Sequence, residues 1–405
     1  MLQNVTLTPS RRTLEFGIYR DGDNNLDAIQ ESAVSDALQV SAADSRITFT
    51  VEDTTSLHGG KLHTDEFTIA DGTTGHVTSS RAHDMSDENN LAQFVVKTLD
   101  NAQACGAQQA WIDLVDHGGG DGGGLETSDG SVMSMPDIAK AIADGVAIHA
   151  AEHPEDAGRR IEGVVANQCL MDTMGFADAL SRAGVRYLAA SPETMIAPGV
   201  PTDVAERIAS HEGDARAMSA AIVNDVMKTK FKDFFGDPIR PAAAFDVLDL
   251  DPAKLARAES AIKCFNDAAI DAAGNRAARA ALREDVRATD GMVRFPQATK
   301  DMPWHADRPA ISVYDTIASD GRLNGTLRSD AATARDAIGA LVLAHRESGG
   351  FSAFGGADYS DAAGPTMHFP TSHRQIDPWA QNGISETNNA FYRVTDQGAL
   401  SRVLA

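Results

Sequence analysis

Between Leu14 and Ala190, short apolar runs alternate with stretches whose apolar residues recur every three to four positions. That is the signature of strands alternating with amphipathic helices. Leu14–Tyr19 (LEFGIY) predicts a strand, followed by the Asp/Asn-rich turn Asp21–Asn25 and a helix to about Leu38. Arg46–Val51 predicts a second strand, and Lys61–Ser79 has hairpin spacing with Asp71-Gly72 as its turn. A helix is expected over Glu88–Ala104, with Leu91, Phe94, Val95 and Leu99 on one face. Ala110–Val115 (AWIDLV) reads as a buried strand that runs into Asp116-His117 and a glycine-rich loop. Ser134 is placed to cap a helix with Pro136 in its first turn and Ile138, Ile142 and Val146 on its apolar face. Ile161–Ala166 predicts the next strand, ending at Asn167-Gln168-Cys169. A helix over Met171–Ala183, stopped by Gly184, and a strand over Val185–Ala190 follow. Such alternation builds βαβ units, so the expected fold class is α/β with a mainly parallel central sheet flanked by helices.

After Pro201 the pattern turns helical. Ala215–Phe234, Pro252–Ala281 and Ser329–Glu347 are Ala-rich with helical periodicity, and the strand-like Ala243–Leu248 and Met367–Pro370 stand isolated among them. The segment FGDPIRP suggests a boundary, giving an α/β core over 1–235 and a mostly helical region over 236–405 that packs on and completes it.

The length of 405 residues suits two to three domains or one enlarged α/β domain. The longest apolar stretch, around Ala337–Ala344, falls short of the ~18 residues a membrane span needs. A formal charge of −23 argues against nucleic acid and anionic membrane as partners, since a phosphate-binding surface needs clustered Lys and Arg. It would attract cationic substrates. Oligomeric state is not legible. The three cysteines, Cys105, Cys169 and Cys264, are too few and too dispersed for a disulfide framework or a cysteine zinc site. The N-terminal sequence MLQNVTLTPSRRTLEF lacks the signature of a signal peptide, so a cytoplasmic location is expected.

The informative pair is His117 and Cys169, each just beyond the end of a predicted buried strand. In an open parallel sheet ligands bind outside the carboxyl ends of the strands, so two successive strands deliver an imidazole and a thiol to one edge. Nucleophilic catalysis by a thiol needs that arrangement. The glycines at 118–120 and 122–124 leave backbone N–H groups accessible to a developing oxyanion. Cys105, beside Gly106, and Cys264, in AIKCFND, read as packing residues. The glycine run formally satisfies GxGxxG, but a dinucleotide fingerprint opens a helix at once and here the next helix waits until Ser134. No redox cofactor is expected. His149-Ala-Ala-Glu152-His153 matches the inverted zinc-peptidase pattern HxxEH, yet Pro154 ends the helix and no third ligand is apparent in the sequence. Asp21–Asp27 begins like a calcium loop but has Leu26 where an EF-hand needs Gly and Ser32 where it needs Glu.

These motifs resemble the clostripain family of cysteine peptidases, in the caspase-like clan. The segments that carry the resemblance are Ile18–Asp27 (IYRDGDNNLD), Leu114–Gly124 (LVDHGGGDGGG), Met133–Ile142 (MSMPDIAKAI), Val165–Met171 (VANQCLM) and Tyr187–Gly199 (YLAASPETMIAPG), with a late His368-Phe369-Pro370-Thr371. The resemblance implies a caspase-like fold and a cysteine endopeptidase acting on a peptide or protein substrate. Cys169 would be the nucleophile, His117 the general base and acid, and the backbone N–H groups of Gly118 and Cys169 the oxyanion donors. The family has an acidic residue two before the nucleophile, in the pocket for a basic P1 side chain; here that residue is Asn167. A neutral amide cannot form the bidentate charged pair that favours Arg. Glu193 and Asp203 are the substitute acids in reach by sequence, leaving Arg or Lys only weakly favoured. The resemblance further implies self-cleavage between the His and Cys segments, for which Arg159-Arg160 is the candidate, and calcium, for which Asp21, Asp23 and Asp27 are the candidate ligands. A cysteine acyl transferase or amidase would use the same groups. A structural Cys169 would instead make the chain an interaction module.

Overall fold

Eight strands come from the first half of the chain: β1 (Leu14–Asp21), β2 (Ile47–Thr55), β3 (His63–Ala70), β4 (Thr73–Thr74), β5 (Thr78–Arg81), β6 (Gln109–Val115), β7 (Ile161–Asn167) and β8 (Tyr187–Ala190). In this computed structural model, residues 12–57, 60–195, 198–229, 231–232, 238–293, 303–352, 355–379 and 389–405 are described. Strands β2-β1-β6-β7-β8 are parallel neighbours in that order, and β3, with β4 and β5 on it, adds antiparallel pairing beyond β2. Strand Ala243–Asp249 pairs antiparallel with β8, and Val342–Ser348 pairs antiparallel with it in turn. The second half therefore extends the same sheet. The proposed division at 235/236 falls on residues outside those described.

Alternation along the parallel strands divides the core between two faces. Tyr19, Ile112, Leu114, Val164 and Ala166 face the helices Glu88–Cys105, Met135–Glu152 and Met174–Arg182. Phe16, Ile18, Trp111, Val115 and Val165 face Ser32–Ala43, Val204–Ser210 and Ala215–Val226. Asp113 shares the second face and is fully buried there. The first core continues into the second half through Leu255, Phe265, Tyr314 and Ile338. Helix Met135–Glu152 is capped by the Ser134 side chain, which accepts from the Asp137 N–H. Helix Glu88–Cys105 lies so close that a Cβ on Gly145 would meet Val95 and the Ala92 carbonyl.

The later helices are shorter than their periodicity predicts. The first stops at Val226, and Phe234 lies outside the described residues. Pro252–Ala281 is two helices, Pro252–Ala272 and Arg276–Ala288, because Gly274 breaks the run and Asn275 caps the second helix. Ser329–Glu347 is a helix only to Gly339; the β-branched and apolar residues after it form the edge strand Val342–Ser348. The helix expected from Met171 begins at Met174, where the Thr173 hydroxyl caps it. Neither isolated strand is isolated: Ala243–Asp249 is in the main sheet, and Thr366–His368 pairs with Asp307–Pro309. Cys105 packs against the core, whereas Cys264 is exposed on its helix and is not a packing residue. Among the described residues no helix is long and apolar enough to cross a membrane.

Candidate active site

Strands β6 and β7 pair from Ala110–Ile161 to Val115–Asn167, so the residues that follow them emerge side by side. The Asp116 N–H reaches the Asn167 carbonyl at 3.4 Å, and the Gln168 amide donates to the His117 carbonyl at 2.9 Å. A Cβ on Gly118 would run into the Cys169 carbonyl, so only glycine allows the two strand exits to touch. His117 and Cys169 consequently line one cleft of about 440 Å³, with Gly118, Thr194, Val293 and Trp304 among its walls.

His117 Nε2 is 2.8 Å from the Asn25 Oδ1 acceptor, which favours the tautomer protonated at Nε2, with the lone pair on Nδ1. Partial burial lowers the imidazole below its usual range against the opposing field of Glu126, so the ring is neutral at pH 7. The Cys169 thiol accepts from the Met195 N–H at 3.3 Å and is covered by Leu170, Met292 and Val293. Burial pushes it up to about 11, with the charges of Glu193 and Asp116 adding to the rise. No hydrogen bond joins His117 to Cys169; one ring nitrogen is held by the Asp/Asn turn and the thiol by the loop after β8. Leu170 (φ 67°) and Val293 (φ 65°), both against the thiol, hold left-handed backbone that branched side chains rarely adopt. A thiol raised in this way is mainly protonated at pH 7. Alkylation of Cys169 by iodoacetamide, followed by peptide mapping, should therefore quicken about tenfold per pH unit from pH 7 to 10. A rate already level below pH 8 would show a thiolate held by His117 instead.

The glycine loop folds back on itself through bridges Gly118–Gly124 and Gly124–Met133. It is braced from the second half of the chain: Trp304 Nε1 donates to the Gly119 carbonyl at 3.0 Å, the Trp379 ring lies against Gly122, and the Tyr392 hydroxyl bonds the Asp121 carboxylate. The loop opens no helix; Gly120–Gly122 is a single tight turn, and the next helix starts at Met135.

The three residues assigned to the substrate pocket do not gather there. The Asn167 amide is spent on Val200, accepting from its N–H at 2.8 Å and donating to its carbonyl at 3.2 Å. Glu193 is buried and its carboxylate accepts from the Thr194 and Val293 N–H groups. Asp203 lines a separate cavity of about 410 Å³ beside Arg207. The carboxylate that does line the Cys169 cleft is Glu126. Beside the cleft, sharing Thr194 with it, a small cavity of about 20 Å³ is lined by uncharged residues including Ser191, Met195 and Gly199.

The three residues of the calcium expectation are drawn into several contacts. Asp21, Asp23 and Asp27 do not bring one oxygen each within 4.8 Å of one another. Asp27 is consumed by Arg20 at 3.2 Å and by Thr55 and Ser56, while burial pushes the Asp21 carboxyl up to about 7, with the charges of Asp23 and Asp84 adding to the rise. The same turn instead supplies Asn25 to His117 and Asn24 to Asp116, the latter at 2.6 Å. Through those two contacts the polar turn is part of the cleft's surroundings. Arg159 and Arg160 precede β7 while Cys169 follows it, so a seven-residue strand of ~3.3 Å per residue separates them by roughly 20 Å. Both are tied down, Arg159 by Asp156 and Arg160 by Glu162 at 2.8 Å.

No protein-family model matches the sequence, and no curated protein matches it by sequence similarity. Solved structures do match in fold. A secreted C11 cysteine protease from Bacteroides thetaiotaomicron superposes with a TM-score of 0.67 at 12% identity, over 95% of this chain and 99% of its own. An inactive zymogen C11 protease from Parabacteroides distasonis gives a TM-score of 0.63 at 12% identity, over 96% and 99% of the two chains. The Bacteroides enzyme in complex with an irreversible peptide inhibitor gives 0.65 at 12%, over 95% and 99%. The chain thus has the caspase-like fold of the clostripain-like C11 proteases along nearly its whole length.

Proposed function

We propose that the protein is a cysteine endopeptidase in which Cys169 attacks the scissile carbonyl and His117 moves the proton. The observation that carries this reading is the delivery of an imidazole and a thiol by adjacent parallel strands into one cleft, on a fold shared with C11 proteases. As the thiol adds to the carbonyl, its proton passes to His117 Nδ1, and the Gly118 and Cys169 N–H groups take the oxyanion. Collapse of that adduct expels the amine, which leaves with the proton from His117, and forms a thioester. Water, deprotonated by the same imidazole, hydrolyses the thioester and restores the thiol. Asn25 positions the ring and does not touch substrate.

In the described state the thiol is held by Met195 rather than by His117. Its ionisation needs the Met195 loop to release Sγ toward Nδ1. The similar protease from Parabacteroides distasonis is an inactive zymogen.

The small cavity beside the cleft has no carboxylate among its described lining residues, which favours a small uncharged P1 residue over Arg or Lys. A fluorogenic peptide panel varied at P1 tests both statements: Ala, Ser or Thr should be turned over about tenfold or more faster than Arg or Lys. Preference for Arg would refute the pocket. Absence of turnover of every peptide, with Cys169 still labelled, would refute the endopeptidase.

A further inference from the structure

We propose that Asp100, His149 and His153 bind a divalent transition-metal cation of the zinc class, at the edge of the sheet opposite the Cys169 cleft. Helices Glu88–Cys105 and Met135–Glu152 end where β6 and β7 begin, so their last turns lie at that far edge. His149 lies in the last turn of the second helix and His153 is the residue that caps it, four positions on, while Asp100 comes from the first helix, which packs closely on the second at Gly145. The third ligand absent from the local motif is thus supplied from a helix some fifty residues earlier, and Glu152 of the motif, exposed, takes no part.

One ligand atom from each of the three residues lies within 4.8 Å of the others. His149 Nδ1 is 2.7 Å and His153 Nε2 is 3.4 Å from the same Asp100 oxygen. Ligands at ~2.0–2.1 Å around a tetrahedral zinc ion stand about 3.3 Å apart, so these spacings need only small adjustments.

The outer contacts point the same way. His149 Nε2 faces Asp156 at 3.3 Å, and His153 Nδ1 faces Glu155 at 3.5 Å, both from the turn Pro154–Asp156. A neutral imidazole has one N–H, yet each ring meets a carboxylate at both nitrogens. If the outer nitrogens donate to Asp156 and Glu155, the inner ones are lone pairs aimed at an anionic oxygen, an arrangement that a cation between them satisfies. The carboxylate–histidine–metal relay has this arrangement, with the outer acid fixing the tautomer. The carbonyl end of the helix adds a favourable field. His149 is fully buried, whereas Asp100 and His153 are about a third exposed, which leaves an entry path and room for a water as fourth ligand.

The Glu52–Glu66–His83 cluster has comparable spacing but a different cause. There Lys97 Nζ already sits 2.7 Å from Glu66 and 3.3 Å from Glu52, so the chain supplies its own cation. In the Asp100 cluster Arg159 reaches only the outer acid Asp156.

The test uses the full chain carrying Cys169→Ala, so that metal held by the thiol does not count, stripped with chelator and titrated with Zn²⁺ and with Co²⁺. One equivalent should bind, Co²⁺ should give the intense visible bands of tetrahedral coordination, and Zn²⁺ should raise the melting temperature. His153→Ala and Asp100→Asn, both partly exposed and expected to fold, should each weaken binding about tenfold or more and remove the thermal shift. No bound equivalent, or equal affinity in the parent and both variants, would overturn the proposal and leave imidazolium protons as the occupants of the cluster.

Discussion

Peptide turnover by Cys169→Ala and by His117→Ala should fall about 10⁴-fold or more, because losing either member of a nucleophile–base pair removes the whole covalent route. Double substitution should cost little beyond either single change, since the two act in one step. Both melting temperatures should stay within about 2 °C of the parent: the Sγ atom fills little space, and the His117 ring is half exposed to the cleft. Assay of the purified variants against the best P1 peptide, with thermal melts alongside, decides the matter. Full turnover in either variant would falsify the assignment. A large fall in melting temperature for Cys169→Ala would mark the residue as structural.

Asp113→Asn should stabilise the protein strongly at neutral pH. Asp113 is fully buried in the middle of β6 between Trp111 and Val115, and burial pushes its carboxyl up to about 8 from the usual 3.8, despite a hydrogen bond to Asn167. The native state therefore keeps this proton across a range where the unfolded chain has lost it. Stability falls as pH rises above about 4 and levels off only beyond about 8, the reverse of a salt-bridged carboxylate. Over the pH units between 4 and 7 this linkage costs of order 4 kcal/mol, at about 1.4 kcal/mol per unit. Asparagine does not titrate, so denaturant unfolding should show parent and variant nearly equal at pH 4 and increasingly separated up to pH 8. Parallel stability curves over that range would mean that Asp113 ionises normally in the fold.

The parallel core was legible because its strands are short apolar runs closed by helices with local stop signals, such as Ser134 before one helix and Gly106 after another. The convergence of His117 and Cys169 was legible for the same reason, since topology alone sends successive strand ends to one edge. Failures arose where a contact spans distant segments. Val342–Ser348 keeps enough apolar residues to continue a helical period, and only pairing with Ala243–Asp249 makes it a strand. Asn25 on His117, Asp100 on His149 and Val200 on Asn167 are invisible to local spacing. Asn167 also shows that matching a family position does not preserve its use: the amide there serves a loop backbone.

The brace on the glycine loop has a consequence for the timing of synthesis. Cys169 leaves the ribosome early, whereas Tyr392, which anchors Asp121, follows roughly 220 residues later, a lag of roughly 10 to 45 s at about 5–20 residues per second. Throughout that interval the nascent chain carries the thiol without the groups that fix its oxyanion wall. On the proposed function, the capacity to cut peptides would arrive only once Ala390–Thr395 has emerged and Tyr392 can reach Asp121.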